Sequence, residues 1–142
     1  MNATPLLDLF NEDIGHTEQL LELIETEYHA LGENDLTGLQ DILANKQPLL
    51  NILDQHGKNR SRLLQDMNFS PDRSGLQMLA QQLQNGEELI QASERLSELL
   101  EQCKVANLRN GRIIRSNQQS AACMLDILRG SETPSLYDST GG

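Results

Sequence analysis

The residues best suited to chemistry are three histidines and two cysteines. Asp13 and His16 stand three apart and Glu25 and His29 four apart, spacings that place two ligands on one helix face. Carboxylate-imidazole metal centres draw such pairs from several helices, yet only one Asp-x-x-His is present and His56 lies alone in a Gln- and Lys-rich stretch. Set against a seam through Ile14 and Tyr28, His16 and His29 project outward. All three histidines therefore read as solvated surface, and no metal or cofactor is expected. Cys103 falls on an apolar helix seam, where a thiol serves as a small buried hydrophobe. Cys123 lies twenty residues further along the same predicted helix, about 30 Å away at 1.5 Å per residue. The two cannot bridge within that helix, so free thiols are expected. With no phosphate loop, no Gly-x-Ser-x-Gly and no aromatic cluster to form a pocket, an enzyme is not expected.

A second candidate is the stretch NLRNGRIIRSNQQ at residues 107–119, which carries Arg109, Arg112 and Arg115. The chain as a whole has a formal charge of -10. Three-residue steps make the arginines drift slowly round one side of a helix, with no aromatic side chains between them to stack on bases. A field this weak, on so acidic a chain, argues against nucleic acid. Residues 1–45 hold ten acidic residues and no Lys or Arg, whereas residues 102–130 hold five basic residues and one acid. The basic rear helix is thus suited to pair with the acidic front one. Asn110-Gly111 could turn a hairpin, but VANLR and RIIRS lack the alternation that two strands need. Helical phase continues across the pair, with Gly111 as the weakest turn, about 1 kcal/mol poorer than Ala. Asn107, Asn110 and Asn117 on that seam leave two readings open: buried register control, or a helix half that its own chain does not permanently cover.

These residues must be positioned by helices. The 142 residues suit one domain, rich in Leu, Gln and Glu, with two Phe, two Tyr and no Trp. Aliphatic packing in a bundle or coiled coil fits that composition. Thr4-Pro5 opens a first helix over about residues 5–31, whose seam reads Leu7, Phe10, Ile14, Thr17, Leu21, Ile24, Tyr28, Leu31. A second helix, 36–67 with a kink near Pro48, has the seam Leu36, Leu39, Leu43, Lys46, Leu50, Leu53, Gly57, Arg60, Leu64, Met67. Lys46 and Arg60 there are expected to lay their stems along apolar surface with the charges at the edge. A short helix over 71–84 and a long one over 87–129 follow. The expected architecture is all-α: an elongated antiparallel helical bundle or coiled coil, one domain over residues 1–130. A mobile Pro-, Ser- and Gly-rich tail is expected at 131–142. No stretch approaches the roughly 20 apolar residues of a membrane span, and the amino terminus has no signal-type core, so a cytoplasmic protein is expected. The long seams leave self-association into a homodimer open.

Asn107-x-x-Asn110-Gly111 followed by an aliphatic pair and a terminal Leu-Tyr-Asp-x-x-Gly resembles the FlgN family of flagellar type III export chaperones. Lys46-Gln-Pro-Leu-Leu and Arg60-x-x-Leu63-Leu64 are similar to the middle of that family. The resemblance implies a cytoplasmic chaperone that binds the hook-filament junction proteins FlgK and FlgL and delivers them to the flagellar export gate. It implies client binding by the carboxy-terminal helix and gate docking by a tail tyrosine, here Tyr137. Helix phase within that region selects Ile113, Ile114, Ala121, Met124, Leu125 and Leu128 as the client surface. The rival reading is a coiled-coil structural or adaptor protein with a permanent partner.

Overall fold

The structure, a computed structural model, describes residues 2–128, with side chains described to residue 118 and at 123, 125 and 126. The expected mobile tail, Tyr137 included, lies outside the described residues, as do the side chains of Ala121, Met124 and Leu128. Four helices follow one another: α1 (Thr4–Glu33), α2 (Leu36–Asp66), α3 (Arg73–Gln81) and α4 (Gly86–Leu128). No strand occurs among the described residues, and no described helix is long and apolar enough to cross a membrane.

Local chemistry sets the ends. Pro5 lies in the first turn of α1, where its missing N–H costs no hydrogen bond. Asn34 adopts a left-handed conformation (φ 55°) and its N–H closes the last turn of α1, a short polar side chain being tolerated there. Asp35 and Asp72 cap α2 and α3 by accepting from the N–H groups of Gly38 and Gly75 at 3.0 and 2.9 Å. The Ser70 hydroxyl, donating to Asp72 at 2.5 Å, and the capped N–H of Gly75 hold the Asp72 carboxyl below the usual range. Gly86 starts α4 with its Cα against the carbonyl of Ala80, where any Cβ would lie 1.9 Å from that oxygen. The helix reversal between α3 and α4 therefore requires glycine. Helix α2 runs through Pro48 without a break.

The three long helices run up, down and up. Asp13 pairs with Arg60 and Glu27 with Lys46, so α2 is antiparallel to α1. Thr17 meets Cys103 and Ile24 meets Asn110, so α4 returns beside α1 in the same direction. One apolar cluster at the lower end joins all four helices through Leu6, Phe10, Leu64, Leu76, Leu79, Leu89 and Leu96. A second, smaller one holds Leu20, Ile24, Cys103 and Ala106, flanked by Leu49 and Leu53.

The buried row of α1 is Leu6, Phe10, Asp13, Thr17, Leu20, Ile24, Glu27 and Leu31, one residue out of the expected phase at four places. Ile14 and Leu21 are half-buried and Tyr28 is exposed. In α2 the inward row takes Ile42, Lys46, Leu49, Leu53, His56, Arg60 and Leu64, while Leu36, Leu43 and Leu50 face solvent. In α4, Leu99 and Ala106 are buried where Leu100 and Asn107 were expected. In α1 the cause is that the packed row admits two acids, Asp13 and Glu27, that are neutralised across the interface, while the row beside it is the more apolar.

Cutting Ile24, fully buried, to Ala should destabilise the fold by about 2–5 kcal/mol. Leu43→Ala on the exposed row should change stability by no more than about 0.5 kcal/mol. Urea unfolding of both variants checks the phase, and the expected seam would make the Leu43 change costly as well.

Candidate functional site

Two polar layers interrupt the apolar clusters. In the first, Asp13 is fully buried (0 % exposed). Its Oδ1 accepts from His56 Nδ1–H at 2.7 Å and its Oδ2 from the Arg60 guanidinium. Arg60 also lies over the Phe10 ring, 5.0 Å from its centre. Thr17 Oγ1 donates to the Asp13 carbonyl at 2.6 Å, binding the layer to the helix below it. The expectation that His56 and His16 are solvated surface is thereby corrected. His56 is a partner of a buried carboxylate, and the half-buried His16 ring stands 6.0 Å from it, while His29 is exposed.

The second layer joins all three long helices. Glu27 of α1 accepts from Lys46 Nζ of α2 at 3.4 Å, and both side chains are 11 % exposed. Asn110 Nδ2 of α4 donates to Glu27 Oε1 at 2.9 Å and to the Ile24 carbonyl at 2.8 Å. Lys46 Nζ also donates to Asn107 Oδ1 at 3.2 Å. No buried side-chain nitrogen or oxygen among the described residues lacks a partner. Lys46 and Arg60 thus turn their charges inward, against the expectation that these would lie at the edge. Below the second layer, burial pushes the Cys103 thiol up, partly offset by the Lys46 charge. A raised thiol is a poor nucleophile, and its Sγ lies 3.7 Å from the Thr17 carbonyl oxygen.

Among the described residues, the basic and acidic ends meet at Arg109. Arg109 reaches Glu25 at 3.3 Å and stacks 4.0 Å over Tyr28. Helix α4 continues through Gly111 to Leu128, so Asn110-Gly111 forms no turn. Of the Asn motif, Asn110 is buried, Asn107 reaches the same layer from a more open position, and Asn117 is exposed. Beyond Asn110 no described side chain of α4 is buried. Ile113 is half-buried, Ile114 is 37 % and Leu125 50 % exposed. The predicted client residues whose side chains are described therefore share one stretch of helix that has no buried side chain among the described residues. Sequence reasoning missed Glu27 and the inward roles of Asp13 and His56. The signal that could have found them was the fourteen-residue interval between Asp13 and Glu27, matched by that between Lys46 and Arg60.

Among known proteins, the sequence profile described as FlgN protein matches residues 1–142. A crystal structure of a flagella synthesis protein FlgN from Pseudomonas aeruginosa is 45 % identical. The match covers 90 % of this chain and 98 % of that one, with a TM-score of 0.77. No curated protein matches the sequence.

Lys46→Met leaves the Glu27 carboxylate buried without its countercharge and should cost about 3–5 kcal/mol. With Glu27→Met added, two apolar side chains face each other, and much of that loss should be recovered. Thermal unfolding of the two singles and the double measures the coupling. Additive losses would mean that the pair is not energetically linked.

Proposed function

From a chain that belongs to the FlgN family, and so to a flagellar protein family, we propose a cytoplasmic chaperone. It binds the hook-filament junction proteins FlgK and FlgL and hands them to the flagellar type III export gate. One observation carries this reading: α4 stays helical from Asn110 to Leu128, while every described side chain beyond Asn110 is half-buried or exposed. A stretch of helix that buries none of its described side chains and carries Ile113, Ile114 and Leu125 is suited to dock another helix. Ala121, Met124 and Leu128 extend the proposed surface, Met and small residues adapting to varied partners. Tyr137, in the tail, is the proposed contact with the gate, separate from the client surface. The protein has no catalytic task in this scheme.

The layer at Asn110 decides how the surface can be tested. Removing residues 107–142 would take Asn107 and Asn110 out of the fold, so loss of binding could reflect unfolding. A chain ending at residue 112 keeps both. It should melt within a few degrees of the full chain yet lose measurable affinity for FlgK and FlgL in calorimetry. Ile114→Ala and Leu125→Ala should each weaken binding by about tenfold or less, as single apolar contacts of about 1 kcal/mol do. Tyr137→Ala should leave client affinity unchanged. Full affinity in the shortened chain would remove the client site from α4.

A further inference from the structure

The geometry points to Asp13, His16 and His56 as a binding site for a late transition-metal ion of the Zn2+ class, joining α1 to α2. One ligand atom from each of the three, a carboxylate oxygen and two imidazole nitrogens, lies within 4.8 Å of the others. Asp13 and His16 sit one helical turn apart on α1, and His56 comes from the facing turn of α2. That supplies three ligands from two rigid helices and leaves a fourth position to water, as in open zinc sites.

Several features favour a metal over an incidental cluster. The carboxylate is fully buried and fixed in orientation, because Arg60 holds Oδ2 and His56 meets Oδ1. Such an outer hydrogen bond orients a metal-binding carboxylate. His16, half-buried, makes no hydrogen bond among the described residues and meets only the His56 ring, at an interplanar angle of 56°. Its ring nitrogens are free to bind. Metal–nitrogen and metal–oxygen bonds of about 2.0–2.2 Å need the donor atoms roughly 3 Å apart. Metal binding replaces the hydrogen bond between His56 Nδ1–H and Asp13 Oδ1: the imidazole takes its Nε2–H tautomer, freeing Nδ1. The 2.7 Å separation opens slightly, and His16 needs a modest side-chain shift.

Charge and ligand type decide which ion. The only carboxylate in the triad is shared with a guanidinium, which repels a cation and offers nothing to hard ions that collect several oxygens. Two imidazoles favour Zn2+, Ni2+ or Cu2+ over Mg2+ or Ca2+. Bound there, the ion would brace α1 against α2 between the two apolar clusters.

The test uses the full, tag-free chain with Cys123→Ser, so that the half-buried thiol does not compete. Zn2+ should bind at one site in calorimetry and raise the melting temperature, while Mg2+ at the same concentration does neither. His16→Ala removes no hydrogen bond, so the metal-free melting temperature should hold while Zn2+ affinity falls at least tenfold. His29→Ala, an exposed histidine, should change neither. With Co2+, imidazole NMR signals of His16 and His56 should broaden selectively in the unmutated site, which keeps the proposal testable should His16→Ala disturb the fold. Absence of Zn2+ binding, equal affinity in His16→Ala, or Co2+ broadening centred on His29 would overturn it.

Discussion

Two carboxylates, Asp13 and Glu27, lie inside the interface of α1 with α2, and their burial constrains everything else. An ionised carboxylate in an apolar interior is costly unless a countercharge and hydrogen bonds meet it there. Both are met from α2, by Arg60 and Lys46, and the matched fourteen-residue intervals make the two pairs fit in a single antiparallel register. Shifting α2 by one heptad either way would set Asp13 against Leu53 or Met67, and Glu27 against Leu39 or Leu53. Each carboxylate would then be buried without a partner. Leucine seams alone tolerate such slips, and the charged layers do not.

The upper layer also governs the last helix. Asn110, the last buried side chain among the described residues of α4, ties that helix to Glu27 and to the Ile24 carbonyl. Up to that point α4 has buried side chains, and beyond it its described side chains are half-buried or exposed. The polar layer thus separates the residues that hold the fold from those proposed to hold a client. Gly111 stands directly after that boundary with ordinary space around it, its nearest neighbour being Arg115 Nη1 at 3.5 Å from a Cβ position. Packing does not demand glycine there, so it lowers local helix stability where a partner would have to dock.

The all-helical fold and the run of α4 through Asn110-Gly111 were legible because periodicity and caps report them directly. The phase of the seams was not. Leu7, Ile14, Leu21 and Tyr28 form a more apolar row than Leu6, Asp13, Leu20 and Glu27, and hydrophobicity alone selects the first. The second is buried because its two acids are neutralised by residues 47 and 19 positions away, information that one helix does not carry. The same blind spot left His56 on the surface. The open choice for the Asn seam resolves by position: Asn107 and Asn110 serve register, and Asn117 lies on the uncovered part.

The division of α4 at Asn110 is tested most directly by hydrogen-deuterium exchange along that helix in the free protein. Amides between about residues 92 and 110 should be protected near the global stability of the bundle. Those from residue 113 onward should exchange at least about tenfold faster, since helix without tertiary support opens locally. Uniform protection from Leu89 to Leu128 would contradict the account, because it would mean that the upper half of α4 is covered by its own chain or by a second copy.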